Sequence, residues 1–158
     1  MPVVIDANGG AGVLIGSSAA DSGTHAAVQA NLIEANGGLG IDLAPSGAAN
    51  CSSPPPGPND YVQCPVIATA TTTKVTGHAC AGCLIEIYLA AAAPDDQGHG
   101  EAAALLTTTT AAANGTWTAA LRPGQLSAGA SVTATATSPA SFQQAAESSE
   151  FSRNVAIT

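Results

Sequence analysis

One phrase occurs twice in this chain. Ile5-Asp6-Ala7-Asn8-Gly9-Gly10-Ala11-Gly12-Val13-Leu14-Ile15 returns as Ile33-Glu34-Ala35-Asn36-Gly37-Gly38-Leu39-Gly40-Ile41-Asp42-Leu43, an offset of 28 residues, identical or conservative at most positions. A period in the twenties that joins short apolar strands to a glycine-asparagine corner is the signature of a solenoid, with one coil per repeat. Equivalent residues of stacked strands lie about 4.8 Å apart. Val4 is therefore expected on Leu32, Ile5 on Ile33, Val13 on Ile41 and Ile15 on Leu43. Asn8 over Asn36 forms an amide ladder, and the glycine pairs supply positive φ at the corner. Asp6 over Glu34 is a repulsive pair, so both face water or a cation lies between them. Two coils are fewer than a solenoid needs. The N-terminal face is expected as an open edge, to be covered by the rest of the chain, by another copy or by further coils.

Composition narrows the partners. Three cationic side chains (Lys74, Arg122, Arg153) stand against eleven acids, for a net charge of −8. Counterion release on a nucleic acid needs clustered Lys and Arg, and there is no cluster. The same imbalance disfavours an anionic membrane surface. No run approaches the roughly 18 apolar residues that span a bilayer, and Met1-Pro2-Val3-Val4-Ile5-Asp6 lacks the basic and apolar regions of a signal peptide. The Thr/Ala/Ser-rich, lysine-poor composition nonetheless reads as extracellular, and the opening inside a repeat reads as a fragment of a longer secreted protein.

Residues 1–44 hold the two coils, with the polar stretch 17–30 as the return side. Residues 45–61, rich in Pro, Ser and Gly, form an extended linker. From 62 to 158 the pattern predicts strands near 64–70, 72–77, 83–90, 103–110, 115–121, 130–137 and 150–157. Ile85, Ile87 and Leu89 share one face, as do Val132, Ala134 and Ala136. Asn114-Gly115 marks a hairpin, and Trp117 anchors the core. Seven short strands with almost no helix favour a Greek-key β-sandwich. An even cysteine count in a chain of extracellular character favours disulfides, and four cysteines allow three connectivities. Local pairing is the simplest: Cys51–Cys64 across the Pro-rich loop and Cys80–Cys83 at a hairpin end.

Asn36-Gly37-Gly38-Leu39-Gly40-Ile41-Asp42-Leu43 resembles the closing coil of bacterial secreted right-handed parallel β-helix repeat proteins. Val75-Thr76-Gly77, Ile85-Glu86-Ile87-Tyr88, Gly98-His99-Gly100-Glu101, Val132-Thr133-Ala134-Thr135-Ala136-Thr137 and Ser149-Glu150-Phe151-Ser152 are similar, in order, to phrases of the immunoglobulin-like sandwich that follows that coil in many of them. The resemblance implies an all-β chain: a short right-handed parallel β-helix segment of two coils plus a Greek-key immunoglobulin-like β-sandwich. It implies no particular activity, because such coils host lyases, adhesins and passive stalks alike. The pair Cys80/Cys83 departs from the family pattern.

Several constellations bear on chemistry. His78-x-Cys80-x-x-Cys83 has zinc-like spacing but lacks a fourth ligand, and a disulfide-closed hairpin is the plainer reading. Asp95-Asp96-Gln97-Gly98-His99-Gly100-Glu101 gathers Asp95, Asp96 and Glu101 around two glycines, a candidate calcium loop or a solvated connection. Lys74, Asn154 and Glu86 are a candidate isopeptide set; the plainer reading is a lysine blunting an edge strand. The coils carry Asp6, Glu34 and Asp42 but no Lys or Arg, and His25 reads as a solvated loop residue, so paired acid-base catalysis has no evident machinery. The expectation is a non-catalytic extracellular structural or adhesive module that needs no cofactor. It self-associates through the open coil edge, with carbohydrate or other surface proteins as further partners. The alternatives are a fragment of a carbohydrate-active β-helix enzyme, and a calcium- or carbohydrate-binding module.

Overall fold

A computed structural model of the chain describes residues 2–22, 25–48, 51, 56–91, 97–141 and 145–158. The chain is all β. Its strands in order are β1 (Val4–Asp6), β2 (Val13–Ile15), β3 (Leu32–Glu34), β4 (Ile41–Leu43), β5 (Val66–Ala70) and β6 (Lys74–His78), followed by β7 (Leu84–Ala90), β8 (Ala102–Thr110), β9 (Thr116–Ala120), β10 (Ser131–Thr137) and β11 (Val155–Ala156). No helix among the described residues is long and apolar enough to cross a membrane.

The repeat folds as two in-register parallel pairs. Val4, Ile5 and Asp6 of β1 lie beside Leu32, Ile33 and Glu34 of β3. Val13, Leu14 and Ile15 of β2 lie beside Ile41, Asp42 and Leu43 of β4. The register is the offset read from the sequence, because a one-residue slip would turn Ile33 and Ile41 out of the core. The positive φ at each corner falls on Ala7 (54°) and Ala35 (57°), not on the glycine pairs. Alanine has the smallest side chain that can adopt this conformation. The glycines serve proximity instead: a Cβ on Gly37 would lie 2.8 Å from the Gly9 carbonyl oxygen stacked on it.

The strands of the later segment sit where the sequence placed them, with one exception. Sheet order is β1-β3-β8-β7-β10-β11, facing a three-stranded sheet β5-β6-β9. Between them lies one core of Val75, Ile85, Ile87, Trp117, Val132, Ala134 and Ala136, all buried. Trp117 pairs across the ladder with Gly77, whose missing side chain makes room for the indole. Gly115, at φ 81°, turns the β8–β9 hairpin.

The opposite face of the large sheet is buried too. Glu86, Tyr88, Thr133, Thr135 and Thr137 point away from the first core and are at most 2% exposed. A second core covers them, formed by Ile15, Ile33, Ile41 and Leu43 of the repeats with Tyr61, Tyr88, Ala102 and Phe151. Tyr88 and Phe151 meet edge to face, ring centroids 5.7 Å apart. The expected strand over 150–157 shrinks to Val155–Ala156, because residues 147–152 run irregularly over this face and bond through side chains. Ser152 Oγ accepts from Ala134 N, Ser149 Oγ from Ala136 N, and Thr137 Oγ1 meets Ser148 Oγ.

The described part of the 45–61 segment is packed rather than free. Pro58–Tyr61 makes a tight turn in which Asn59, Asp60 and Tyr61 all have positive φ. Such a run costs about 1–2 kcal/mol per residue and persists where its side chains are held. Asn59 is fully buried: its Oδ1 accepts from Ala26 N, and its Nδ2 donates to Ala26 O and Ser148 O at 2.7 and 2.8 Å. Tyr61 Oη donates to Ala44 O at 2.9 Å.

Candidate functional site

The two repeats present one used side and one unused side, and this asymmetry defines the candidate site. On the used side, four buried glutamates of the later segment each hold the repeat region. Glu101 Oε1 accepts from both Asn36 N (2.9 Å) and Asn36 Nδ2 (2.8 Å). Glu150 Oε1 accepts from Leu43 N at 2.9 Å. Glu86 Oε1 accepts from Ala30 N at 3.0 Å, while its Oε2 accepts from Tyr88 Oη. Glu147 Oε1 contacts His25 Nδ1. No Lys or Arg takes part: the one contact between a carboxylate and a basic side chain among the described residues is His25–Glu147. Backbone N–H groups and neutral side chains therefore solvate most of the buried charge. Burial pushes the Glu86 carboxyl above its usual range, against the opposing bonds from Tyr88 and Ala30. Burial, and then the Glu86 charge, raise the Tyr88 hydroxyl as well.

A single strand register completes this side. Ile33 of β3 pairs antiparallel with Ala102 of β8, so the repeat sheet continues into the large sheet. The Asn ladder passes through the joint. Asn8 Nδ2 donates to Asn36 Oδ1 at 2.8 Å, and Asn36 Nδ2 in turn donates to Glu101 Oε1. The corner of the first repeat is thus tied to a buried carboxylate of β8's approach through one amide.

The unused side is the outer edge of the first repeat. Among the described residues, β1 pairs only with β3 and β2 only with β4. The backbone bonds of this repeat run inward: Leu32 N to Val3 O, Gly12 N to Leu39 O, Val13 N to Gly40 O and Ala44 N to Ile15 O. Val3, Val4 and Leu14 are 60%, 53% and 58% exposed, which places them among the most exposed large apolar side chains described. Asp6, also exposed, flanks them. A parallel strand edge with bare apolar side chains is a template for pairing.

The other candidate residues separate. Cys51–Cys64 and Cys80–Cys83 are both disulfides, so the zinc spacing at His78 loses its two sulfurs. Cys51, Cys64 and Glu150 lie close together, but sulfurs bonded to each other are not thiolate ligands. Of the acidic loop, Asp95 and Asp96 fall outside the described residues. Glu101 is buried beneath Asn36, a role its sequence context did not suggest. Lys74 points outward from the β5-β6-β9 sheet, Glu86 faces the repeats on the far side of the other sheet, and Asn154 Oδ1 accepts from Gly100 N. That isopeptide set does not assemble. Among the repeat acids, Asp42 is buried and accepts from Gly47 N, while Asp6 and Glu34 sit on the other strand pair. His25, expected in solvent, is bonded to Glu147.

No family model matches the chain, and comparison with curated proteins finds no match.

Proposed function

We propose that this chain is a non-catalytic structural or adhesive module of an extracellular protein. In this reading, two coils of a right-handed parallel β-helix are capped on one side by an immunoglobulin-like sandwich and associate through the other. The observation that carries it is the contrast between the sides. The inner side is closed by the β3–β8 pairing and the buried glutamates, whereas the outer side leaves β1 and β2 without neighbours and Val4 and Leu14 in water. Two disulfides, Cys51–Cys64 from the 45–61 segment to the later one and Cys80–Cys83 within the later one, fit an oxidising compartment.

The used side also restricts how copies join. Head-to-tail stacking would need the inner side, which is occupied, so two outer edges meet about a two-fold axis with antiparallel pairing and assembly stops at a dimer. Size-exclusion chromatography with light scattering tests this. Wild type is expected to shift from monomer to dimer with rising concentration, and the exposed-site variant Val4→Glu/Leu14→Glu to stay monomeric. A wild type that is monomeric at every concentration, or a dimer indifferent to both substitutions, would refute the reading.

A further inference from the structure

A second site lies far from the repeat edge. A groove of about 330 Å3 opens where the start of β5 parts from the approach to β11. Its walls are Pro65, Val66, Ile67 and Val155, backed by the Cys51–Cys64 disulfide, and its polar side chains are His99 and Arg153. That volume and this balance, an apolar trough with a few polar groups, are those of a small-ligand site. β5 has a hydrogen-bonded neighbour on one side only, β6, and Val66 at its start is 64% exposed.

Charge selects the ligand. The chain has three Lys and Arg among 158 residues and a net charge of −8. A groove that pairs one of those cations with a histidine is therefore a local exception. Arg153 makes no ion pair among the described residues. His99 is fixed in place because its Nδ1 donates to Phe151 O at 3.0 Å. The nearby Glu150 carboxylate is buried and turned to Leu43 N. The described side chains that wall the groove, Pro65, Val66, Ile67 and Val155, carry no hydrogen-bonding group. A sugar acid, with hydroxyls on every side, would leave them unpaired against Pro65 and Val66. An apolar chain ending in one carboxylate matches both parts, since guanidinium binds carboxylate through two parallel hydrogen bonds.

We propose that this groove binds a small amphiphilic carboxylate, its apolar body along Val66, Ile67 and Val155 and its carboxylate on Arg153. The test is a 1H–15N NMR titration of the full chain with sodium octanoate, with octanamide as the uncharged equivalent and Arg153→Gln as the variant. Arg153 is exposed, so the variant keeps the fold, and its spectrum away from the groove checks that it does. Octanoate is expected to shift Val66, Ile67, His99 and Val155 saturably. Its affinity should fall about tenfold or more in Arg153→Gln, and octanamide should bind wild type as weakly as octanoate binds the variant. No saturable shift at these residues, or equal affinity of wild type and Arg153→Gln for octanoate, would overturn the proposal.

Discussion

Replacing Asn36 by alanine should be among the most damaging single changes in the repeats. The side chain is 1% exposed and joins three parts of the fold. One Nδ2 proton reaches Glu101 Oε1 at 2.8 Å, a bond to a carboxylate of the kind that contributes about 1.5–3 kcal/mol. The other is shared between Ile5 O and Glu34 O, both at 3.2 Å, for about 0.5–1.5 kcal/mol. Oδ1 accepts from Asn8 N and Nδ2, but Asn8 is exposed and water replaces part of that contribution. Truncation also strips Glu101 of one of its two donors, while its buried Oε2 has no hydrogen-bond partner among the described residues to compensate. The loss is then about 3–5 kcal/mol, a large part of the roughly 5–15 kcal/mol by which a domain is stable. Asn8→Ala, at the water-facing end of the same ladder, should lose only about 0.5–1 kcal/mol. Urea unfolding followed by Trp117 fluorescence measures both. If Asn36→Ala unfolds at the same midpoint as Asn8→Ala, with an unchanged slope, the ladder does not tie the repeats to the large sheet.

The same joint sets a pH dependence. Because burial raises the Glu86 carboxyl above its ordinary 4.5, its contribution is most favourable below that value. It is lost as pH rises through the raised folded value, since the unfolded chain ionises first. Glu86→Gln should therefore be neutral or stabilising at pH 7–8 and should flatten the fall in melting temperature between pH 4 and 8; an unchanged slope would show that Glu86 is not its source. Gly37→Ala should destabilise by about 1–3 kcal/mol, because its Cβ meets the Gly9 carbonyl. Gly9→Ala, with open space around it, should change stability by less than about 0.5 kcal/mol, and equal midpoints in urea would refute the stacking argument. Cys51→Ser/Cys64→Ser opens a 13-residue separation and should lose about 3 kcal/mol, against about 2 for Cys80→Ser/Cys83→Ser across three residues; calorimetry on the two double variants would detect a reversed order.

What the sequence made legible was local or periodic. The 28-residue offset alone sufficed to pair Val4 with Leu32 and Ile15 with Leu43, and alternation located β7 and β10 to within a residue or two. Neighbouring cysteines found their partners for the same reason. Alternation did not reveal that Thr133, Thr135 and Thr137 are buried, because a threonine beneath another layer has the same pattern as one in water. The glutamates were illegible for a different reason. Glu101 meets Asn36 across 65 residues and Glu150 meets Leu43 across 107, and no spacing rule connects such pairs. The one available signal was indirect and held for Glu86 alone, which sits inside the apolar phrase Leu84-Ile85-Glu86-Ile87-Tyr88-Leu89, where an acid has to find a donor; Glu150, among serines, gave none. The Ala7 and Ala35 corners went to the neighbouring glycines, because glycine normally takes positive φ and its second use, close approach, leaves the same mark in a sequence.

Amide hydrogen exchange, followed across protein concentration, tests the central claim most directly. The account predicts that Leu32–Glu34 and Ile41–Leu43, held on the inner side, are protected at every dilution. Protection of Val4–Asp6 and Val13–Ile15 should rise with concentration as the outer edge finds its partner. Outer strands equally protected at high dilution, or exchanging freely at the highest concentration, would contradict it.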